Sequence, residues 1–92
     1  MSELRFQYGG KEYGVGDEIE LFMHLSPEKA TYIARSDEGV VIFPVYGSRM
    51  IGEMIVGGWK IVSVRARVAR VIKRNNKCTI IVKPLEWRGV YK

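Results

Sequence analysis

Ninety-two residues, 47% of them apolar, with 15 Lys and Arg against 10 Asp and Glu, give a formal net charge of +5. That length suits one domain with a modest core, and that apolar share belongs to a folded globule, not a disordered chain. No apolar run approaches the ~18 residues of a membrane-spanning helix, the opening MSELRFQYGG holds no apolar signal core, and the basic balance favours polyanions over a membrane surface.

Leu4 to Tyr13 reads as strand, turn, strand, with Gly9-Gly10 supplying the positive φ of a two-residue hairpin. Residues 1–15 are thus an N-terminal hairpin extension, ended by the hinge Gly14-Val15-Gly16. Asp17 to Met23 alternates, with Ile19, Leu21 and Met23 on one face and Glu18, Glu20 and Phe22 on the other. His24 to Glu28 turns around Ser26-Pro27-Glu28, and Lys29 to Arg35 is the next strand. Ser36-Asp37-Glu38-Gly39 is a four-residue turn with Gly39 placed for a left-handed conformation. Val40 to Tyr46 follows as a strand that Pro44 restricts to an edge or an end. Gly47 to Gly58 carries Met50, Ile51, Met54 and Ile55 at helical spacing between glycines, and reads as a loop with one helical turn.

Lys60 to Ile72 is the longest element. Ile61, Val64, Val68, Val71 and Ile72 would also make one face of a basic helix. About half of the segment is β-branched, however, and such side chains lose rotamer freedom in helices. Val62, Val64, Ala66 and Val68 alternate with Ser63, Arg65 and Arg67, so the pattern is that of a half-buried strand. The alternation slips after Val68, which calls for a β-bulge near Ala69 or an odd-numbered turn at Asn75-Asn76. Cys78 to Val82 is the returning strand, and residues 84–92 form a short tail. Five or six short strands with glycine-rich turns describe an all-β fold. They fit a small barrel of the OB or SH3-like type over residues 16–83, within one domain of residues 1–92.

Charge is sorted along the chain. Residues 1–58 hold five basic and nine acidic side chains, and residues 59–92 hold ten basic and one acidic. Between Lys60 and Lys83 there are eight cations and no acid. Sorted charge points to a partner. Arg65 and Arg67 project from one strand face roughly 7 Å apart, a spacing close to that of successive phosphates. Arg70, Lys73, Arg74 and Lys77 continue the patch onto the hairpin tip. A solvated strand edge with gatekeeper charges is the bland alternative.

No catalytic constellation is visible. His24 is the sole histidine, so a Cys/His metal site within one chain is ruled out, and Glu18 and Glu20 read as a solvated strand face. GVGDEIE lacks the lysine and helix of a phosphate loop. Neither an enzyme activity nor a cofactor is expected. Cys78 stands alone in an apolar run and reads as a small buried hydrophobe in a reducing compartment, which places the protein in the cytoplasm. Of the aromatics, Tyr32, Phe43 and Tyr46 lie on strands beside the basic one and are candidate base-stacking platforms. Phe43 and Trp59 read more readily as core than as platform, whereas the phenols of Tyr32 and Tyr46 tolerate exposure and are the better platform candidates.

Three segments, GDEIEL, IARSDEGVVIFP and VGGWKIVSVRARVARVIKRNNKCTIIV, resemble the TRAM domain, an OB-like RNA-binding module. TRAM domains are appended to tRNA-modifying methyltransferases and methylthiotransferases and also occur alone as small archaeal proteins. The likeness rests on a glycine and acid before the first strand, Ala34-Arg35, Gly39, Phe43-Pro44 and the Val/Arg-rich run Val62 to Val71. It covers residues 16–83. His24 to Glu28 replaces the family's glycine-rich turn, and Tyr46 to Gly58 is longer than the family's compact loop. The resemblance implies an RNA partner, such as tRNA or a single strand, and brings Arg35 into the contact set. DNA is a second polyanion of the same kind, and an acidic protein face is the alternative partner.

Overall fold

The computed structural model describes residues 4–29, 31–44, 53 and 56–91, the last three of these as backbone alone. Seven strands are present: β1 Arg5–Tyr8, β2 Lys11–Gly14, β3 Glu18–Ser26, β4 Thr31–Arg35, β5 Val40–Pro44, β6 Ile61–Arg74 and β7 Lys77–Tyr91. β3, β4, β5, β7 and β6 close in that order into a barrel, while β1 and β2 form a separate hairpin. Within the barrel only β5 and β7 run parallel. A five-stranded closed sheet in this order, with the 45–60 connection between its third and fourth strands, is an OB-like barrel. No helix among the described residues is long and apolar enough to cross a membrane.

The core follows from period-two alternation. Ile19, Leu21 and Met23 of β3, Tyr32 and Ala34 of β4, Val40 and Ile42 of β5, Val62, Val64, Ala66, Val68 and Val71 of β6, and Ile80 and Val82 of β7 all point inward. The N-terminal hairpin closes one end of the barrel. Its Phe6 is 3% exposed within this core and stacks on Tyr13 at 5.6 Å. Gly9 and Gly10 have φ of 59° and 80°, which makes the hairpin turn possible.

β6 is a strand throughout, so the basic-helix alternative does not hold. Its register against β7 shifts between Val68 and Arg70, so Ala69 is the extra residue of a bulge. The bulge bends the strand, as closing so small a barrel requires. The Asn75-Asn76 turn has two residues, both left-handed at φ 50° and 64°. Expecting a tail after Lys83 proves incorrect, because β7 runs on to Tyr91. Two features carry it through. Trp87 packs against the core, edge-on to Tyr32 at 6.3 Å. Pro84 sits beside a second register shift, where a missing N–H is tolerated. In the long connection, the Gly57 N–H donates to the Glu53 carbonyl at 2.9 Å, a helical-type bond that ends at left-handed Gly58. The rest of that expected helical turn lies outside the described residues.

Candidate nucleic-acid interface

The sorted charges meet in the folded protein. β3 and β6 pair so that Glu18 faces Arg67, Glu20 faces Arg65 and Phe22 faces Ser63. On the other side of β6, Arg67 faces Lys83, Arg65 faces Glu86 and Ser63 faces Arg88. The Arg65 guanidinium donates to Glu18 Oε1 at 2.7 Å and lies 3.7 Å from Glu86 Oε2, while Arg67 lies 3.8 Å from Glu18 Oε2. Arg88 donates twice to Glu86 Oε1, and that hydrogen bonding and charge hold the Glu86 carboxyl below its ordinary range. Arg65 and Arg67, expected as free phosphate contacts, are therefore already engaged by carboxylates. Part of the charge sorting reports this cross-strand pairing within the barrel and not an external partner.

Past the Ala69 bulge the surface changes. The outward residues of β4, β5, β7 and lower β6 form registered rows. In one, Arg35, Val41, Thr79 and Ile72 stand side by side; in the next, Phe43, Ile81 and Arg70. Val41, Phe43, Ile72, Thr79 and Ile81 are half-buried, so the centre is an apolar platform on the outside of the barrel. At strand spacing, Arg35 to Ile72 spans about 14 Å. Cations ring the platform: Arg35 at one side, Arg70 at the other, Arg74 paired with Lys77 at the hairpin tip, and Lys83 farther along β7. Lys29, from the β3–β4 turn, holds its Nζ 4.7 Å from the centre of the Phe43 ring. Among the described residues, Arg35, Arg70, Lys73, Arg74, Lys77 and Lys83 form no ion pair. Glu38 is the acid at the tip, beside Lys73, Arg74 and Lys77. Lys73 alternates to the other side of the arm, where it shares a surface hollow with Arg5, Phe6, Gln7 and Glu12 of the N-terminal hairpin.

The aromatic expectations reverse. Tyr32 is not a stacking platform: it is 0% exposed, and its hydroxyl donates to the Trp59 carbonyl. A phenol can be core when its polar tip finds a partner inside, and burial raises its pKa. Phe43, which had the stronger core reading, is half-buried on the outer platform and not part of the inner core. Trp59 packs against the core. Tyr46 lies outside the described residues. Lys29, Val41, Ile72, Thr79, Ile81 and Lys83 escaped the sequence reading. The signal for them is that VVIF and TIIV are apolar on both faces, more than a barrel wall with one dry side needs.

Among the described residues, no group of three or more His, Cys, Asp and Glu could hold a metal. The Cys78 thiol is half-buried, and burial pushes its pKa up against the opposing charge of Lys73. No protein family, curated protein or solved structure matches the chain.

Proposed function

We propose that the protein is a non-catalytic binder of single-stranded RNA, which lies on the outer face of β4, β5, β7 and lower β6. The observation that carries this reading is the apolar platform around Phe43, ringed by cations that form no ion pair among the described residues. Bases stack on aromatic and apolar surface while the backbone follows positive charge, which is how single strands are held without strong sequence preference. OB barrels commonly present this face, together with the turn between their first two strands and the hairpin between their last two. Here those elements supply Lys29 and the pair Arg74 and Lys77. A single strand is preferred to a duplex because the platform offers stacking surface, which a closed helix cannot use. The choice of RNA over DNA rests on the resemblance of residues 16–83 to the TRAM domain.

The test is a titration of labelled single-stranded RNA, single-stranded DNA of the same sequence, and duplex, at several salt concentrations. With about five phosphates contacted, log K against log salt should slope near −3 to −4 on a single strand. Arg70→Ala with Arg74→Ala should weaken binding about tenfold or more at every sequence and flatten that slope by one to two units. Arg65→Ala with Arg67→Ala should do less. A flat salt dependence on every nucleic acid would sink the reading and leave docking to an acidic protein face in its place.

A further inference from the structure

The outer face of β3 with the upper parts of β6 and β7 shares none of the platform's stacking residues. Its most unusual member is Phe22, which is 66% exposed on a polar strand face, between the exposed side chains of Glu20 and His24. Directly across from Phe22 stands Ser63, the smallest side chain of that face. Ser63 and Val64 form the floor of a hollow of about 230 Å³ whose walls are Glu20, Arg65, Glu86 and Arg88. The hollow is open to solvent and polar-walled, and the planar guanidiniums of Arg65 and Arg88 give it faces on which a ring can lie. A protruding ring and this hollow thus lie side by side on one cross-strand row, roughly 5 Å apart.

We propose that this face is the contact surface of a two-fold homodimer, in which Phe22 of each copy enters the Ser63 hollow of the other. The geometry of the registered rows carries the inference. Consider a two-fold axis lying between two facing sheets, parallel to the strands and midway between β3 and β6. It sets β3 of each copy over β6 of the other. The same operation then puts Phe22 over Ser63, Glu20 over Arg65 and Glu18 over Arg67, since those are the rows of one copy. An isologous contact must be self-complementary in this way. The charge balance agrees. Glu18, Glu20 and Glu86 stand against Arg65, Arg67 and Arg88 on this face, with Lys83 at the end of the Glu18–Arg67 row, so it is close to neutral in a chain of net +5. This face can meet its own copy without the repulsion that the basic arm would impose. The guanidiniums of Arg65 and Arg88 at the rim can lie against the entering ring.

The test needs no nucleic acid. The full chain, freed of nucleic acid by nuclease and high salt, is followed by sedimentation velocity up to about 1 mM, the weakest affinity worth assigning to such a contact. The expected result is a reversible monomer–dimer equilibrium. Phe22→Ser and Ser63→Trp each change an outward side chain and should leave each variant monomeric, with strand content by circular dichroism as in the parent. Mixed together, they should associate again, because the hollow of the first accepts the ring of the second. Should Ser63→Trp fail to fold, Glu20→Arg mixed with Arg65→Glu gives the same reading: each repels itself, and the pair is complementary. A parent chain that stays monomeric throughout, association that survives the single variants, or mixtures that do not associate would each overturn the proposal.

Discussion

The hydroxyl of Tyr32 donates to the main-chain carbonyl of Trp59, 27 positions away, and so ties β4 across the barrel mouth to the start of β6. The neighbouring backbone bond from Leu25 N–H to the Lys60 carbonyl, at 3.0 Å, fastens the same corner. Because Tyr32 is wholly buried, its contribution is to the fold. Tyr32→Phe keeps the ring and removes this hydrogen bond, and should cost about 1 kcal/mol of stability. Urea unfolding measures it, and RNA affinity of the folded variant should be unchanged. Weaker binding at full stability would return Tyr32 to the contact surface.

Phe43 should behave in the opposite way. It is half-buried on the outer face, with Lys29 above its ring, so truncation removes stacking surface together with some packing. Phe43→Ala should cost about 1–3 kcal/mol of binding to a single strand, the usual worth of one stacked base. Phe43→Trp should retain most of it. Parallel thermal melts and titrations separate the two effects.

Ala69 sets the bend of β6. With the bulge in place, Val71 points inward and Arg70, Ile72 and Arg74 outward. Deleting Ala69 restores plain alternation and keeps every later side chain of β6 on its present face, but removes the bend that closes so small a barrel. The deletion should therefore destabilise the barrel by about 1–3 kcal/mol. Ala69→Gly, which keeps the count, should cost no more than about 1 kcal/mol. Denaturant midpoints of the two variants decide the matter.

Glu86 gives the fold a weak acid sensitivity. Its carboxyl titrates below the ordinary value of 4.5, first because Arg88 hydrogen-bonds the ionised form, then through the charges of Arg88 and Arg65. A depressed carboxyl pKa stabilises the folded state fully above the unfolded value, and that contribution disappears as pH falls through the folded value. Glu86→Gln should therefore melt below the parent near neutral pH, with the gap closing on acidification past about pH 4. The group is exposed, so the gap should also shrink in high salt.

Much of the fold is legible in the sequence, because each signal was local. Two left-handed glycines at 9 and 10, a left-handed Gly39, two asparagines at the last turn and a slipped alternation at Ala69 each name one feature of the backbone. The barrel follows from apolar alternation in β3 and β-branched alternation in β6. The continuation of β7 did not show itself, because Pro84 and Gly89 interrupt its sequence while its support comes from distant β6. The candidate site was legible in its charges and not in their pairing. Nothing local to Arg65 says that Glu18 will stand beside it. Nothing local to Tyr32 says that a carbonyl waits for its hydroxyl.

The sorting of charge along the chain has a kinetic consequence. Before any strand forms, an acidic first part and a strongly basic last part belong to one flexible polymer, and they attract each other. Glu18 and Arg65 are 47 positions apart, so the β3–β6 pairing is among the most entropically expensive contacts of the barrel to close. Electrostatic attraction within the denatured chain shortens that search. The protein should therefore refold fastest at low ionic strength and slow as salt screens the two parts from each other.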